Sequence, residues 1–209
     1  MFDPENLFWR IISRGVDIVG LSLAWAALSL PIITCGAASS ALYYTIVKCF
    51  RQGERETFHI FWQAFKNNLK QGSILSLMAA GLLLVLIYGY SVMQANWSSA
   101  LGQVMFVVYN LLLIVPLGML CYLFPMQARF EQPVKELIMN SFFLAMRHIF
   151  TTIVVTLMMT EAVISTVEYW WPIFFVPTLC AWIASLFLEK IFAKYLDTDQ
   201  KQKFANKGE

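Results

Sequence analysis

Long apolar segments alternate with short polar loops along the chain. Five segments with few charged residues run over residues 16–34, 72–94, 101–126, 149–168 and 172–189. Each approaches or exceeds the ~20 residues that a helix needs to cross the hydrocarbon core of a bilayer. A shorter sixth segment, residues 37–50, directly follows the first. The pattern predicts an all-α, polytopic membrane helical bundle that forms a single domain over residues 1–209.

The stretch SLPIITCGAASSALYY, residues 29–44, joins the first two apolar segments. Pro31 lacks an N–H group and ends or kinks a helix, whereas Gly36 can take the positive φ that a chain reversal requires. Thr34 and Ala37 belong to the same run, whose small residues let two helices approach closely in lipid. We expect a helical hairpin here. Its turn should lie below the membrane surface and be covered by other helices, because irregular backbone is not tolerated facing lipid.

The distribution of Lys and Arg supports this hairpin, because cationic residues are retained on the cytoplasmic side of a membrane. If residues 16–50 crossed once, Arg10 and Arg14 would lie opposite the next basic cluster. With a hairpin, all fifteen Lys and Arg residues lie on one side. We therefore expect a multi-pass protein of the cell membrane with six membrane segments. Its N-terminal segment, residues 1–15, and its polar tail, residues 195–209, should both be cytoplasmic.

Two amphipathic segments between the apolar runs predict helices that lie at the cytoplasmic interface. In TFHIFWQAFKNNLKQ, aromatic residues recur at the spacing of one helix face and make a candidate partner-contact surface: Phe58, Phe61, Trp62 and Phe65. QPVKELIMNSFFLAMRHIF carries a similar apolar stripe. With a shift of 81 residues, FWQAFKNNLK aligns on FFLAMRHIFT. This alignment suggests two parallel units of helix, interfacial helix and helix, an arrangement found in transporters and equally possible in a duplicated scaffold.

Composition and motifs narrow the function classes. Charged residues make up 13% of the chain and the net charge is +2, whereas soluble domains average about 25% charged residues. The basic residues are spread over membrane-flanking loops, so we expect no nucleic-acid partner. The four cysteines lack metal-ligand spacing, and no catalytic triad, phosphate loop or paired-acid motif is present. We expect a non-enzymatic protein without metal or cofactor, surrounded by the lipid bilayer.

Glu161 is the candidate for a polar site within the membrane. It lies beyond the midpoint of the segment 149–168, where an ionised carboxylate costs on the order of 3 kcal/mol. Ser165 and Glu168 follow at i+4 and i+7 on the same helix face. Three interpretations stay open. The group is an ion- or proton-linked site of a small transporter, a contact to another membrane subunit, or a protonated or hydrogen-bonded carboxyl near the interface.

Two motifs resemble a known family. PIITCGAASSALY, residues 31–43, is followed by FWQAFKNN, residues 61–68. This pair resembles the YesL-like family of Gram-positive membrane proteins, in which a hairpin of the form P-x-x-T-x-G-A-[AT]-x-x-A-[LM]-[FY] precedes a helix similar to F-x-x-F-k-x-N. Here the first aromatic position of the helix is Phe61 or Trp62, and Phe65, Lys66 and Asn68 match the rest. The family is a domain of unknown function, so the resemblance supplies no catalytic residue.

The resemblance does imply a context. Members of the YesL-like family are typically encoded beside carbohydrate permeases, sugar-responsive regulators and enzymes that degrade plant polysaccharides, including rhamnogalacturonan. The resemblance therefore implies an accessory protein of carbohydrate utilisation, in the degradation or uptake of plant cell-wall polysaccharide. Its expected partner is a sugar ABC permease or a membrane sensor kinase. The alternative is the small transporter with Glu161 as its intramembrane site.

Overall fold

The computed structural model describes the backbone of residues 7–205 and the side chains of residues 13–195. This part of the chain is helical and contains no strand. Its α-helices are α1 (Leu7–Ser29), α2 (Cys35–Ile46), α3 (Thr57–Ala95), α4 (Ala100–Arg129), α5 (Val134–Arg147), α6 (Ile149–Glu168) and α7 (Val176–Ala205). Short 3-10 turns precede α2 and α7, and a π-helical turn, Val47–Arg51, extends α2. The expected all-α bundle is confirmed.

Five helical segments with described side chains are long and apolar enough to cross a membrane: Ile32–Arg51, Thr57–Ala95, Ala100–Arg129, Ile149–Glu168 and Val176–Tyr195. Helix α1 has 23 residues and pairs with α2, but its first side chains lie outside the described part. Most side chains of the expected N-terminal segment and polar tail also lie outside it. The molecule is thus a membrane-embedded helical bundle, and the side of the membrane that its termini occupy stays a prediction.

Helices α1 and α2 form the expected hairpin. Trp25 Nε1 donates a hydrogen bond to Ser39 Oγ at 3.1 Å, and Arg14 donates to the Cys49 carbonyl oxygen at 2.8 Å. Because these bonds join the two helices in antiparallel order, Arg14 lies at the same end of the bundle as the basic residues that follow α2. We name this end of the bundle the basic end.

Gly36 has a different role from the one expected. It is helical within α2, and the positive φ, +84°, occurs at Gly53 in the loop before α3. The extended backbone of Pro31, with φ −76° and ψ 121°, makes the reversal instead. Gly36 is required for close packing, since a Cβ atom there would lie only 2.8 Å from the Gly72 carbonyl oxygen. The glycine therefore marks a helix crossing and not the turn.

The turn between α1 and α2 packs against α3 on one side and is exposed on the other, so the expectation that other helices cover it is confirmed only in part. Leu30 and Ile32 are 84% and 65% exposed, and Ile33 is also exposed. The turn itself supplies a hydrogen-bond donor for one of the free carbonyl groups at the end of α1, because the Thr34 hydroxyl donates to the Leu28 carbonyl oxygen at 2.6 Å. Three apolar side chains thus surround a locally hydrogen-bonded turn, which reconciles its exposure with a lipid environment.

Only one of the two amphipathic segments forms a helix separate from the apolar segment that follows it. Helix α3 has 39 residues, or ~58 Å at 1.5 Å per residue, and continues from the first amphipathic segment into the apolar run 72–94. Helix α5 ends at Arg147. The next residue, His148, has a φ of −112° and a ψ of 50° and is not helical, and α6 begins directly after it. The first amphipathic segment is therefore part of a long membrane-spanning helix.

A repeat is present, but its offset is 80 residues and not 81. The order of buried, half-buried and exposed residues over 61–77 recurs unchanged over 141–157. The same offset aligns FRQGERE, residues 50–56, with FEQPVKE, residues 130–136. Helices α2 and α3 thus form one unit, and α4, α5 and α6 form a second unit in parallel orientation.

Contacts between helices support this offset. Gly72 of α3 packs against the backbone of Ala37 in α2, and Gly118 of α4 packs against Thr152 of α6. Thr152 is the residue 80 positions after Gly72, so both units cross at equivalent places. The offset of 81 matches Phe61 with another phenylalanine, whereas the offset of 80 matches it with a buried serine. Burial, and not side-chain identity, therefore defines the repeat.

Candidate functional site

The predicted polar group on α6 lies on the surface of the bundle. Glu161 and Glu168 are exposed, and Ser165 is half-buried. The neighbouring Thr160 hydroxyl donates along its own helix to the Thr156 carbonyl oxygen at 2.8 Å. Helix α6 thus directs both carboxylates outward, where lipid or another membrane subunit would meet them.

The predicted aromatic stripe of α3 divides into a buried pair and an exposed pair. Phe61 and Phe65 are buried against the core that α1 and α2 form. Phe58 and Trp62 are 50% and 48% exposed. Trp62 stacks on Phe65 with ring centroids 5.7 Å apart, and Lys66 Nζ lies 5.3 Å from its ring centroid. We name Phe58 and Trp62, the pair that a partner can reach, the aromatic face of α3.

Helix α5 presents a second and larger apolar surface. One side of the helix is buried in the bundle. The other carries exposed residues that we name the apolar face of α5: Met139, Phe142, Phe143 and Met146. In the repeat, Phe142 is the residue equivalent to Trp62. The two units therefore expose large apolar side chains at equivalent positions.

A cluster of polar side chains joins three helices near the basic end, and the sequence analysis missed it. Arg129 of α4 and Glu189 of α7 form an ion pair with a nitrogen–oxygen distance of 3.0 Å. The Tyr43 hydroxyl of α2 donates to the same carboxylate at 3.1 Å. One turn earlier, Ser40 donates to Gln127 Oε1 at 2.7 Å. Polar contacts of this kind hold membrane helices together where lipid offers no hydrophobic driving force between them.

The ion pair is largely removed from water. The side chains of Arg129 and Glu189 are 23% and 11% exposed, and Arg129 Nε has no hydrogen-bond partner within the described part of the chain. The sequence offered one signal for this pair. A cation, Arg129, follows the apolar segment 101–126, and an anion, Glu189, ends the apolar segment 172–189. The cluster can hold α2, α4 and α7 in register, but it contains no pair of groups arranged for nucleophilic or acid–base catalysis.

Positive charges gather where α5, α6 and α7 meet. His148 lies between α5 and α6, where burial lowers its pKa and the charges of Arg147 and Lys194 lower it further. Arg147 itself lies over the ring of Tyr195 in α7, with the guanidinium carbon 5.9 Å from the ring centroid.

Within the described residues, no group of three His, Cys, Asp or Glu side chains can hold a metal ion. The four cysteines are free thiols. The geometry thus offers helix contacts, two exposed apolar surfaces and a positively charged region, and these are the features on which a function can rest.

The hairpin and α3 carry the family relationship. Residues 18–90 match the family model described as Protein of unknown function, DUF624. This match confirms the resemblance to the YesL-like family over the hairpin and most of α3. No curated protein and no solved structure matches the chain. The relationship therefore assigns no activity to the chain.

Proposed function

We propose that this membrane protein is a non-enzymatic accessory subunit of a carbohydrate-utilisation system. It binds a sugar ABC permease or a membrane sensor kinase at its basic end. The single observation that supports docking is the pair of exposed surfaces there, the aromatic face of α3 and the apolar face of α5. The carbohydrate context, including plant cell-wall polysaccharides such as rhamnogalacturonan, is what the YesL-like resemblance implies.

The two surfaces have the chemistry of a protein interface. Contiguous exposed apolar side chains mark a contact with a protein or a membrane, and aromatic residues are enriched among the side chains that contribute most to binding. A membrane interface also attracts Trp and Tyr. A protein interface and a lipid contact respond differently to a substitution. Removing an aromatic side chain from a protein interface weakens binding of the partner, whereas removing one from a lipid contact leaves partner binding unchanged.

Replacement of Trp62 tests the docking surface. Trp62→Gln should lower the affinity for the partner about thirtyfold, because an aromatic residue central to an interface contributes about 2 kcal/mol. Trp97→Gln is the matched control, since Trp97 lies in the loop between α3 and α4 and is 49% exposed. The measurement is quantitative mass spectrometry of proteins that co-purify in mild detergent. If no permease or kinase is enriched over an unrelated membrane protein, or if both variants behave alike, docking at α3 is wrong.

A deletion strain tests the carbohydrate role separately. Growth on a panel of plant-wall oligosaccharides should be impaired for the saccharides that the partner system handles. Complementation with the unmodified chain should restore growth, and complementation with the Trp62→Gln chain should not. Normal growth of the deletion strain on every saccharide would contradict the carbohydrate role, even if a partner co-purifies.

A further inference from the structure

A cavity of about 540 Å³ lies at the basic end between α4, α5 and α7. Most of its wall is apolar and includes Met126, Leu144, Phe130 and Phe192. The last two rings pack edge to face with centroids 5.6 Å apart, which gives the wall a fixed shape. Phe143 also lines the cavity and is exposed, so the cavity opens toward the surroundings beside it. The volume lies within the range of about 300–1,000 Å³ typical of ligand sites.

Polar side chains also line this cavity. Asn140 Nδ2 donates a hydrogen bond to Gln132 Oε1 at 3.0 Å. This bond orients the Gln132 amide and leaves its N–H donors to a ligand. Arg147 lines the same cavity, and its guanidinium is positioned by the ring of Tyr195. An amide donor and a guanidinium together suit an acceptor group such as a phosphate oxygen.

The charge of the cavity has one sign. Arg147 is the charged residue among those that line it, and the lining contains no acidic side chain. The charges of Arg147 and Lys194 are also felt at His148, which lies just outside the cavity. An anion that enters the cavity therefore meets no like charge on its walls, whereas a cationic headgroup would face Arg147.

We propose that this cavity binds an anionic phospholipid from the leaflet at the basic end. The phosphate lies between Arg147 and Gln132, and an acyl chain lies among the apolar side chains. The apolar wall accepts a chain, and the guanidinium is a forked donor that matches phosphate geometry. The site also lies at the ends of membrane-spanning helices, where basic pockets meet lipid headgroups. The cavity shares Phe143 and Met146 with the apolar face of α5, but phospholipid binding requires no docked permease or kinase.

The test is native mass spectrometry of the full chain in mild detergent, titrated with phosphatidylglycerol or with phosphatidylcholine. The unmodified chain should bind phosphatidylglycerol at least tenfold more tightly. Arg147→Gln should lose most of this preference. The control variant is Arg55→Gln, which removes an exposed cation from the loop before α3, away from the cavity, and should keep the preference.

Gln132→Leu is a second variant, which tests the cavity even if Arg147→Gln fails to fold. It removes a donor from the loop between α4 and α5 and leaves every helix intact, so it should weaken phosphatidylglycerol binding severalfold. Unchanged binding by both variants, or equal affinity for the two lipids, would overturn the proposal. Dodecyl phosphate should compete with phosphatidylglycerol. If dodecyl phosphate saturates the site and phosphatidylglycerol does not bind, the ligand is a soluble amphipathic phosphate and not a membrane lipid. That result would also overturn the proposal.

Discussion

Replacing Gly72 with alanine tests how closely α2 and α3 pack. A Cβ atom at Gly72 would lie 2.7 Å from the backbone nitrogen of Ala37 and 2.8 Å from its Cα. Favourable contacts between carbon atoms lie at about 3.5–4.0 Å, so the two helices would have to separate by about 0.7 Å or more. Because the obstructing atoms belong to backbone, no side-chain rotation relieves the contact. The helices themselves must move.

The expected loss of stability is about 1–3 kcal/mol, the usual cost of adding a methylene group to a well-packed contact. The higher helix propensity of alanine should change this little, because membrane helices keep their backbone hydrogen bonds when they separate in lipid or detergent. The loss corresponds to a roughly 5- to 150-fold change in the folding equilibrium, since 1.4 kcal/mol is a factor of ten.

The assay is thermal unfolding in mild detergent, followed by the monodisperse fraction on size exclusion. Gly81→Ala is the matched control, because Gly81 lies in the same helix and a Cβ atom there would meet nothing within 4 Å. Adding Ala37→Gly to Gly72→Ala should recover stability only in part, since it removes the Ala37 Cβ but not the nearer backbone atoms. Equal unfolding midpoints for Gly72→Ala and Gly81→Ala would refute the close contact of α2 with α3.

Three further predictions concern charge and sidedness. Arg129→Gln and Glu189→Gln should each destabilise the protein by about 3 kcal/mol, because each leaves a largely buried charge unpaired. The variant that carries both substitutions should lose less stability than the sum of the two single losses. The measurement is the unfolding midpoint of each of the three variants in detergent. Cysteines placed at Ser13 and Glu54, in a chain freed of its native cysteines, should react with an impermeant maleimide from the same side of the membrane. Labelling from opposite sides would contradict the hairpin. Glu161→Gln should leave sugar uptake unchanged, because this carboxylate lies on the outer surface of α6, and abolished uptake would favour the small-transporter alternative.

The spans could be predicted closely, whereas the links between them could not. The segment predicted at 149–168 is α6 itself, and that at 101–126 lies within α4, because crossing a bilayer imposes a minimum apolar length. The polar residues before Gly72 resemble a helix boundary, yet α3 continues through them. His148, by contrast, separates α5 from α6 with no proline or glycine beside it. Tertiary packing decides such breaks more than local propensity does.

The candidate surfaces were predictable in part. Helical spacing identified the stripe of α3, but which half of it is buried depends on α1 and α2, whose packing a pattern of spacing does not specify. The same limit applies to Arg129 and Glu189, since neither residue indicates that α4 and α7 are neighbours. The repeat offset was wrong by one residue because matched aromatic residues carried the alignment, although Phe61 is buried and Phe142 is exposed.

The continuity of α3 distinguishes the two repeat units. Trp62 and Ala95, ~50 Å apart at 1.5 Å per residue, lie on one uninterrupted helix, and the contact of Gly72 with α2 lies between them. In the second unit, the non-helical residue His148 separates α5 from α6, so the apolar face of α5 lies on a helix that stops at the basic end. One exposed surface is therefore continuous, through a single helix, with the opposite end of the bundle, and the other is not.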